Sequence, residues 1–307
     1  MLLHQRNPSL CNWYNRAMPE LPEVETVRRG LQSLLPGLIV TAVSDDNPKS
    51  FPNAPADVEQ FLVGARVVAV ERRAKVLLIE LDSKYSLVVH LKMTGQMVYV
   101  GAGMRFRAGH PNDSLIHKLP DKSTRVTLVF DNGAHLYFND QRKFGWMRLL
   151  PTAEVPQINF FKKVGPEPLA ADFSWQVLRD RLQRRRRTSI KAAILDQSVL
   201  AGIGNIYADE GLWGAKIHPT TLVGALTDSK IKALHKSLVD VLQLSIDKGG
   251  SSDRNYVDAE GNRGSYLQFA NVFRREGKVC ARCGATIVKS RVAGRGTHTC
   301  PTCQKPV

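Results

Sequence analysis

Four of the five cysteines of this 307-residue chain stand near its C-terminal end: Cys280 and Cys283, sixteen intervening residues, then Cys300 and Cys303. Each C-x2-C pair suits a tight turn, and four thiolates so spaced close a tetrahedron around one Zn2+, the pattern of a zinc ribbon. A segment of this kind is held together by its metal and needs little apolar core. Two disulfides in a secreted domain are the alternative reading. The first residues, MLLHQRNPSLCNWYNRA, lack the apolar centre of a signal peptide, which favours the metal. His298 lies close to the second pair, but four cysteines already complete the site.

Charge follows the same geography. The chain has 43 Lys+Arg against 28 Asp+Glu, a formal net charge of +15. Between Asn271 and Val307 eight Lys/Arg face a single acid, Glu276, so these 37 residues carry +7. A second concentration is Arg184-Arg185-Arg186-Arg187, followed by Lys191. Clustering favours a footprint for a polyanion, of which nucleic acid is the usual one, over a uniformly basic surface. No apolar run approaches the roughly 20 residues of a membrane-spanning helix, and the expectation is a soluble intracellular protein of about two domains.

The segment Pro22–Leu35 places Val24, Val27, Leu31 and Leu34 at helical spacing, with Pro22 in the first turn and Glu23 and Glu25 near the positive helix end. Short β-type runs follow at 67–70, 76–81, 87–91, 98–100, 125–130, 135–138 and 147–150, separated by turn signals, and predict an antiparallel sandwich or barrel. The polar stretch Gly101–Lys122 reads as a long surface loop. After Pro151, Pro156, Gly165, Pro166 and Pro168 the pattern turns helical. Asp172, Ser189 and Ser229 are the expected caps of three helices, and the cysteine module ends the chain.

Several strings carry chemistry. In Ala201–Ala208, Gly202 and Gly204 allow close backbone approach ahead of a helix beginning near Ile206, whose free N–H groups would suit a phosphate; a tight interhelical turn explains the same residues. Gly294-Arg295-Gly296 suits a hairpin tip holding one guanidinium toward a phosphate, or a merely solvated arginine. Gln141–Trp146 mixes cations with aromatics, as in a side-chain wedge between bases or in a plain strand end. Arg72-Arg73-Ala74-Lys75 is either a solvated charge run or the approach to a site lysine. Finally, Met18-Pro19-Glu20-Leu21-Pro22-Glu23 is either a proline-led helix start or, if the chain begins at Met18 and the methionine is removed, a secondary amine at Pro19. Such an amine is nucleophilic near neutral pH and could attack a sugar C1′, with Glu20 moving the protons.

Taken together, MPELPEVETVRRGL, RRAKVLL, HLKMTGQ, QRKFGW, VGPEPL, IKAAILDQ, AGIGNIYADE and CARCG…GRGTHTCPTCQ resemble bacterial formamidopyrimidine-DNA glycosylases, collinearly from Met18 to Lys305. The resemblance implies an α+β multidomain fold: an N-terminal antiparallel β-sandwich with flanking helices, a helix-two-turn-helix domain and a four-cysteine zinc-finger β-hairpin. The corresponding bounds are a leader at 1–17 outside the mature enzyme, a catalytic domain at 18–155, a hinge at 156–168, a DNA-binding domain with a lesion loop at 169–269, and the zinc finger at 270–307. It implies a monomeric, cytoplasmic, nucleoid-associated bacterial enzyme acting on double-stranded DNA with oxidised purines or abasic sites. Its activity would be base excision followed by β,δ-elimination.

By position, Pro19 matches the Schiff-base nucleophile, Glu20 the proton donor for base release, Lys75 the donor for β-elimination, Arg295 that for δ-elimination, and Glu23 a further carboxylate. Met93, Arg142 and Phe144 match the trio filling the gap left by a flipped nucleotide. Arg186, Lys191 and Asn205 match phosphate contacts, and Gly249–Phe273 the loop over the extruded base. One Zn2+ on Cys280, Cys283, Cys300 and Cys303 completes the set. Ser123 replaces a usual histidine, which alters that DNA contact, and Phe273–Val279 departs from the usual approach to the first cysteine. A non-catalytic DNA-binding protein of the same fold is the alternative if residues ahead of Pro19 stay attached and make its nitrogen an amide. A zinc-ribbon RNA- or ribosome-associated protein accounts for the charge and cysteines but not for MPELPEVE.

Overall fold

The computed structural model describes residues 19–101, 103–109, 118–251 and 265–306; the leader and most of the expected lesion loop lie outside them. Helix α1 (Leu21–Gln32) starts with Pro22 in its first turn and buries Val24, Val27 and Leu31. It packs on a sandwich of two antiparallel sheets. One has the strand order β1 (Val40–Asp45), β7 (Thr124–Phe130), β8 (His135–Asp140), β5 (Gly95–Gly101), β6 (Met104–Gly109); the other has β2 (Val67–Arg73), β3 (Val76–Leu81), β4 (Tyr85–His90), β9 (Trp146–Pro151). A short helix α2 (Pro55–Phe61) joins β1 to β2.

Alternation explains the layering. In β3, Leu77, Ile79 and Leu81 enter the core between the sheets, where they join Val89, Met97, Leu128 and Phe138. Val76 and Leu78 point the other way, under Val155, Phe160 and Phe161 of the chain that leaves β9 through α3 (Asn159–Lys163). Strand β6 corrects the expectation of one loop over Gly101–Lys122. Phe106 and Ala108 alternate with Arg105 and Arg107, are buried in the core, and pair with β5 in register Tyr99↔Phe106. Two arginines in a four-residue run had masked a period-two pattern.

The second half is helical, with α4 (Trp175–Gln183), α5 (Ile190–Leu195), α6 (Asn205–Gly214), α7 (Asp228–Asp247) and the single turn α8 (Tyr266–Phe269) around Leu178, Ile194, Ile206, Leu212, Leu234 and Leu238. Ser189 caps α5 as expected, its side chain accepting the Ala192 N–H. Two caps differ: Ser174, not Asp172, caps α4, and Thr227, not Ser229, caps α7. In each case the capping hydroxyl stands on extended backbone three residues ahead of the N–H it accepts; Asp172 lies two residues further out, and Ser229 is already inside the first turn of α7. A two-stranded hairpin, β10 (Val288–Val292) and β11 (Arg295–Thr299), closes the chain. No helix among the described residues is long and apolar enough to cross a membrane.

Candidate active site

The site lies where α1 and the turn before β3 meet the loop that starts α6. Leu21 N–H donates to Gly202 O at 3.0 Å, and the carboxyl of Glu20 reaches across to accept the Ile206 N–H through Oε1, also at 3.0 Å. The helix N-terminus expected to hold a phosphate therefore holds a carboxyl from the other domain. Both glycines of the loop are required by this docking. Gly202 has φ +77° with Leu21 packed on it, and a Cβ on Gly204 would overlap the Glu20 carboxyl.

Glu20 is 3% exposed, and its second oxygen, Oε2, is buried with no hydrogen-bond partner among the described residues. Burial raises its pKa to about 7, Lys75 opposes the rise and Glu23 adds to it. Lys75 is 6% exposed and donates to Ile203 O at 2.9 Å. Burial lowers its pKa, the Glu20 and Glu23 carboxyls raise it, and the Arg295 guanidinium lowers it. Glu23 accepts the Glu20 N–H at 2.9 Å through Oε2. Its Oε1 accepts the Tyr207 hydroxyl at 2.6 Å and the Ser251 N–H at 2.7 Å. Pro19, the first described residue, is buried beside them. Five expected residues, Pro19, Glu20, Glu23, Lys75 and Arg295, are thus gathered at one place. The chain that leaves at Ser251 returns nearby, because Ser265 N–H donates to Lys248 O at 2.9 Å.

Lys75 is delivered by a specific turn. Ala74 takes a left-handed φ of 55°, and the linker residue Glu167 accepts from the Ala74 N–H and from Arg72 Nη1 (3.0 Å), and pairs with Arg73 Nη1 (3.1 Å). Arg72 also bridges to Glu25 at 3.0 Å. The Arg72-Arg73 pair is accordingly not a solvated run: it fastens the turn that carries Lys75 to Glu167, in the stretch ahead of α4.

Two β-turns assemble the aromatic and cationic trio. Met93 follows β4, and Arg142 and Phe144 follow β8. Arg142 Nη1 donates to Met93 Sδ at 3.0 Å, and its guanidinium lies 4.7 Å from the Phe144 ring centre. Phe144 is 53% exposed. Buried Asp140, overlooked in the sequence, holds this turn by accepting from Thr94 Oγ1, from Arg142 N–H at 3.1 Å and from Gly145 N–H at 2.6 Å.

The remaining residues divide. Arg186 is exposed beside the other arginines, while Arg185 is engaged with Asp196 at 2.9 Å. Lys191, expected at a phosphate, is fully buried instead: Nζ donates to Asp209 Oδ1 (2.6 Å), Thr297 Oγ1 (2.7 Å) and Gly296 O (3.2 Å). Asn205 likewise gives its amide to Gly296 O at 2.9 Å. Both residues hold the hairpin tip that presents the exposed Arg295. Ser123 is buried against Asp121, with no surface for DNA. Sequence reasoning also missed Glu210, a buried carboxylate that accepts the N–H groups of Asn271, Val272 and Phe273, each at 2.8 Å. Adjacent acids on a helix normally read as solvated, so nothing in Asp209-Glu210 marked them as buried anchors.

In the hairpin module the sulfurs of Cys280, Cys283, Cys300 and Cys303 all lie within 4.8 Å of one another and form no disulfide. Four thiolates converging at this separation fit one tetrahedral Zn2+ with no position left over, as in a structural site. His298 is turned away toward Asp209, at 3.2 Å.

A β-sandwich and a helical domain that share a buried carboxyl–lysine pair, with a zinc hairpin reaching back to it, define the zinc-finger-bearing helix-two-turn-helix class of DNA-directed enzymes. The chain belongs to the formamidopyrimidine-DNA glycosylase family. Family models match residues 18–147 (formamidopyrimidine-DNA glycosylase N-terminal domain), 164–256 (its H2TH domain) and 277–306 (the zinc finger found in FPG and IleRS). The formamidopyrimidine-DNA glycosylase of Desulforamulus reducens is 42% identical over 94% of this chain and 99% of its own, and that of Chloroflexus aurantiacus 44% identical over 94% and 98%. Among solved structures, Lactococcus lactis Fpg with DNA containing an abasic site matches with a TM-score of 0.81 and 36% identity, covering 93% of this chain and 99% of that one. A MutM complex with DNA containing carbocyclic 8-oxoguanine matches with a TM-score of 0.81 and 36% identity, over 94% and 100%.

Proposed function

We propose that this protein is a bifunctional glycosylase and abasic-site lyase of base-excision repair, acting on oxidised purines such as 8-oxoguanine and formamidopyrimidines in double-stranded DNA. The observation that carries the reading is the buried, unpartnered Glu20 Oε2 beside Pro19, with a pKa near 7. A carboxyl with that pKa holds a proton at neutral pH and can give it up, which a solvated one cannot.

The Pro19 nitrogen, as an N-terminal secondary amine, forms a bond to C1′ while the electron pair of the C1′–base bond leaves with the base, protonated from Glu20. The amine proton is then lost and the C1′–O4′ bond breaks with a proton taken up by O4′, so that the opened sugar is left as an iminium, which acidifies C2′–H. Loss of that proton expels the 3′ phosphate, and a second elimination expels the 5′ phosphate. Lys75 manages protons for the first elimination and Arg295 assists the second, each also countering phosphate charge. Met93, Arg142 and Phe144 occupy the gap left by the extruded nucleotide and offset part of an unstacking cost of a few kcal/mol. Arg186 meets phosphate directly, whereas Lys191 and Asn205 act by holding the hairpin. One structural Zn2+ on the four cysteines maintains that hairpin. The protein works as a monomer in the bacterial cytoplasm, on nucleoid DNA.

Borohydride trapping tests the reading. Protein beginning at Pro19 is expected to form a covalent complex with an 8-oxoguanine duplex, and Pro19→Gly to lose it. Protein retaining residues before Pro19, checked by intact mass, is expected to bind but not trap. Absence of any trapped species from the Pro19-initiated form would overturn the proposal.

A further inference from the structure

Resting on the role proposed for Lys75, the geometry points to Gln197 as a positioning residue for that lysine, acting through the carbonyl of Ile203. Gln197 belongs to the segment between α5 and the glycine loop, and no part of the chemistry above uses it. Its side-chain amide makes three hydrogen bonds within that loop. Nε2 donates to Ile203 O at 2.8 Å and to Leu195 O at 3.1 Å, and Oε1 accepts the Gly202 N–H at 3.0 Å. Its main-chain carbonyl accepts the Gly165 N–H of the hinge at 2.8 Å.

Ile203 O is also the acceptor for Lys75 Nζ. One carbonyl therefore takes two donors, one from each domain, and uses both of its lone pairs. The position of that oxygen decides where the ammonium sits, because Lys75 is a flexible four-carbon stem whose tip has, among the described residues, this one hydrogen bond and otherwise the charges of Glu20 ahead of α1, Glu23 within it and Arg295 on the hairpin, with the neighbouring His90 of β4 held neutral by burial. The peptide group that supplies the oxygen follows Gly202, at φ +77°, a residue that does not by itself prefer one conformation. Gln197 braces this turn on both sides, at the Gly202 N–H and at the Ile203 carbonyl. Glutamine suits the role because it donates and accepts without charge. A carboxylate would oppose two carbonyl oxygens, and an apolar side chain would leave them unbraced.

The test is single-turnover strand scission of a duplex with a preformed abasic site, together with affinity for a duplex carrying a tetrahydrofuran abasic analogue. Gln197→Met, of similar length and without the three bonds, should slow scission about 10- to 100-fold, the range for a misplaced reacting group, with affinity for the analogue unchanged. In a Lys75→Ala background the same substitution should cost little further, since the two residues act as one unit. If Gln197→Met fails to fold, Gln197→Glu, which has the same shape and keeps an acceptor for Gly202, should show the same slowing and the same lack of effect without Lys75. An unchanged scission rate in a folded Gln197 variant, or an equal loss with and without Lys75, overturns the inference. Unchanged scission by Lys75→Ala itself would overturn the role of Lys75, a result distinct from the first.

Discussion

Glu20 Oε1 accepts the Ile206 N–H at 3.0 Å, so a carboxyl from the sandwich domain caps the first turn of α6 in the helical domain. The bond holds one oxygen of the carboxyl and leaves Oε2 buried with no partner among the described residues. It also makes the setting of this carboxyl a product of domain docking.

Base release should therefore follow the protonation of Glu20. With a pKa raised by burial to about 7, the acid form is lost as pH rises through that value, and the single-turnover rate of excision should fall across the same range. Glu20→Gln should lower the rate at pH 7 by about 100-fold or more and flatten the profile. The stability sign is opposite to that of an ordinary ion-paired carboxylate. The folded pKa lies above the ordinary carboxyl value of 4.5, so the folded state loses stability as pH rises from about 4.5 to about 7. Scanning calorimetry should show Glu20→Gln raising Tm more at pH 8 than at pH 5.

Salt dependence separates the two kinds of cation. Arg186→Ala should reduce the slope of log K against log salt by about one contact's worth, roughly 0.9. Lys191→Met should leave the slope unchanged, because Nζ is buried on Asp209, Thr297 and Gly296. It should instead destabilise the fold by about 3–5 kcal/mol, the cost of removing the cation from a buried ion pair and leaving Asp209 with His298 alone, as read from urea unfolding.

Glu210→Ala should cost about 2–4 kcal/mol, since it strands the Asn271, Val272 and Phe273 N–H groups in a buried position. Proteolysis should become faster at the junction between α8 and the zinc module, and Glu210→Gln should be intermediate.

Phe144→Ala should slow excision from a fully paired duplex by about tenfold, equivalent to losing part of the few kcal/mol that unstacking requires. The loss should largely vanish when the lesion lies opposite a gap, where no stack has to be broken.

A strong chelator should remove the metal and with it the hairpin. Duplex affinity and nicking should fall together, and zinc should restore both. Cys283→Ala should reproduce the loss, because three thiolates no longer close the site.

Much of this protein is local in the sequence. The cysteine spacing specifies the metal turns, period-two runs such as Val76–Leu81 specify strands, and the apolar spacing from Val24 to Leu31 specifies α1. The candidate chemistry is legible too, because Pro19, Glu20, Lys75 and Arg295 stand in short distinctive strings. What the sequence left open is the environment of each group. Lys191 and Arg186 are both cations in a basic stretch, and only packing buries one and exposes the other. Asn205, Asp209 and Glu210 are polar residues whose partners lie in other segments, and no periodicity encodes a hydrogen bond between segments. The pKa of Glu20 arises from the same cause: local sequence supplies a carboxyl, but removing it from water takes α1, the β3 turn and α6 together, because desolvation is a property of everything packed around a charge.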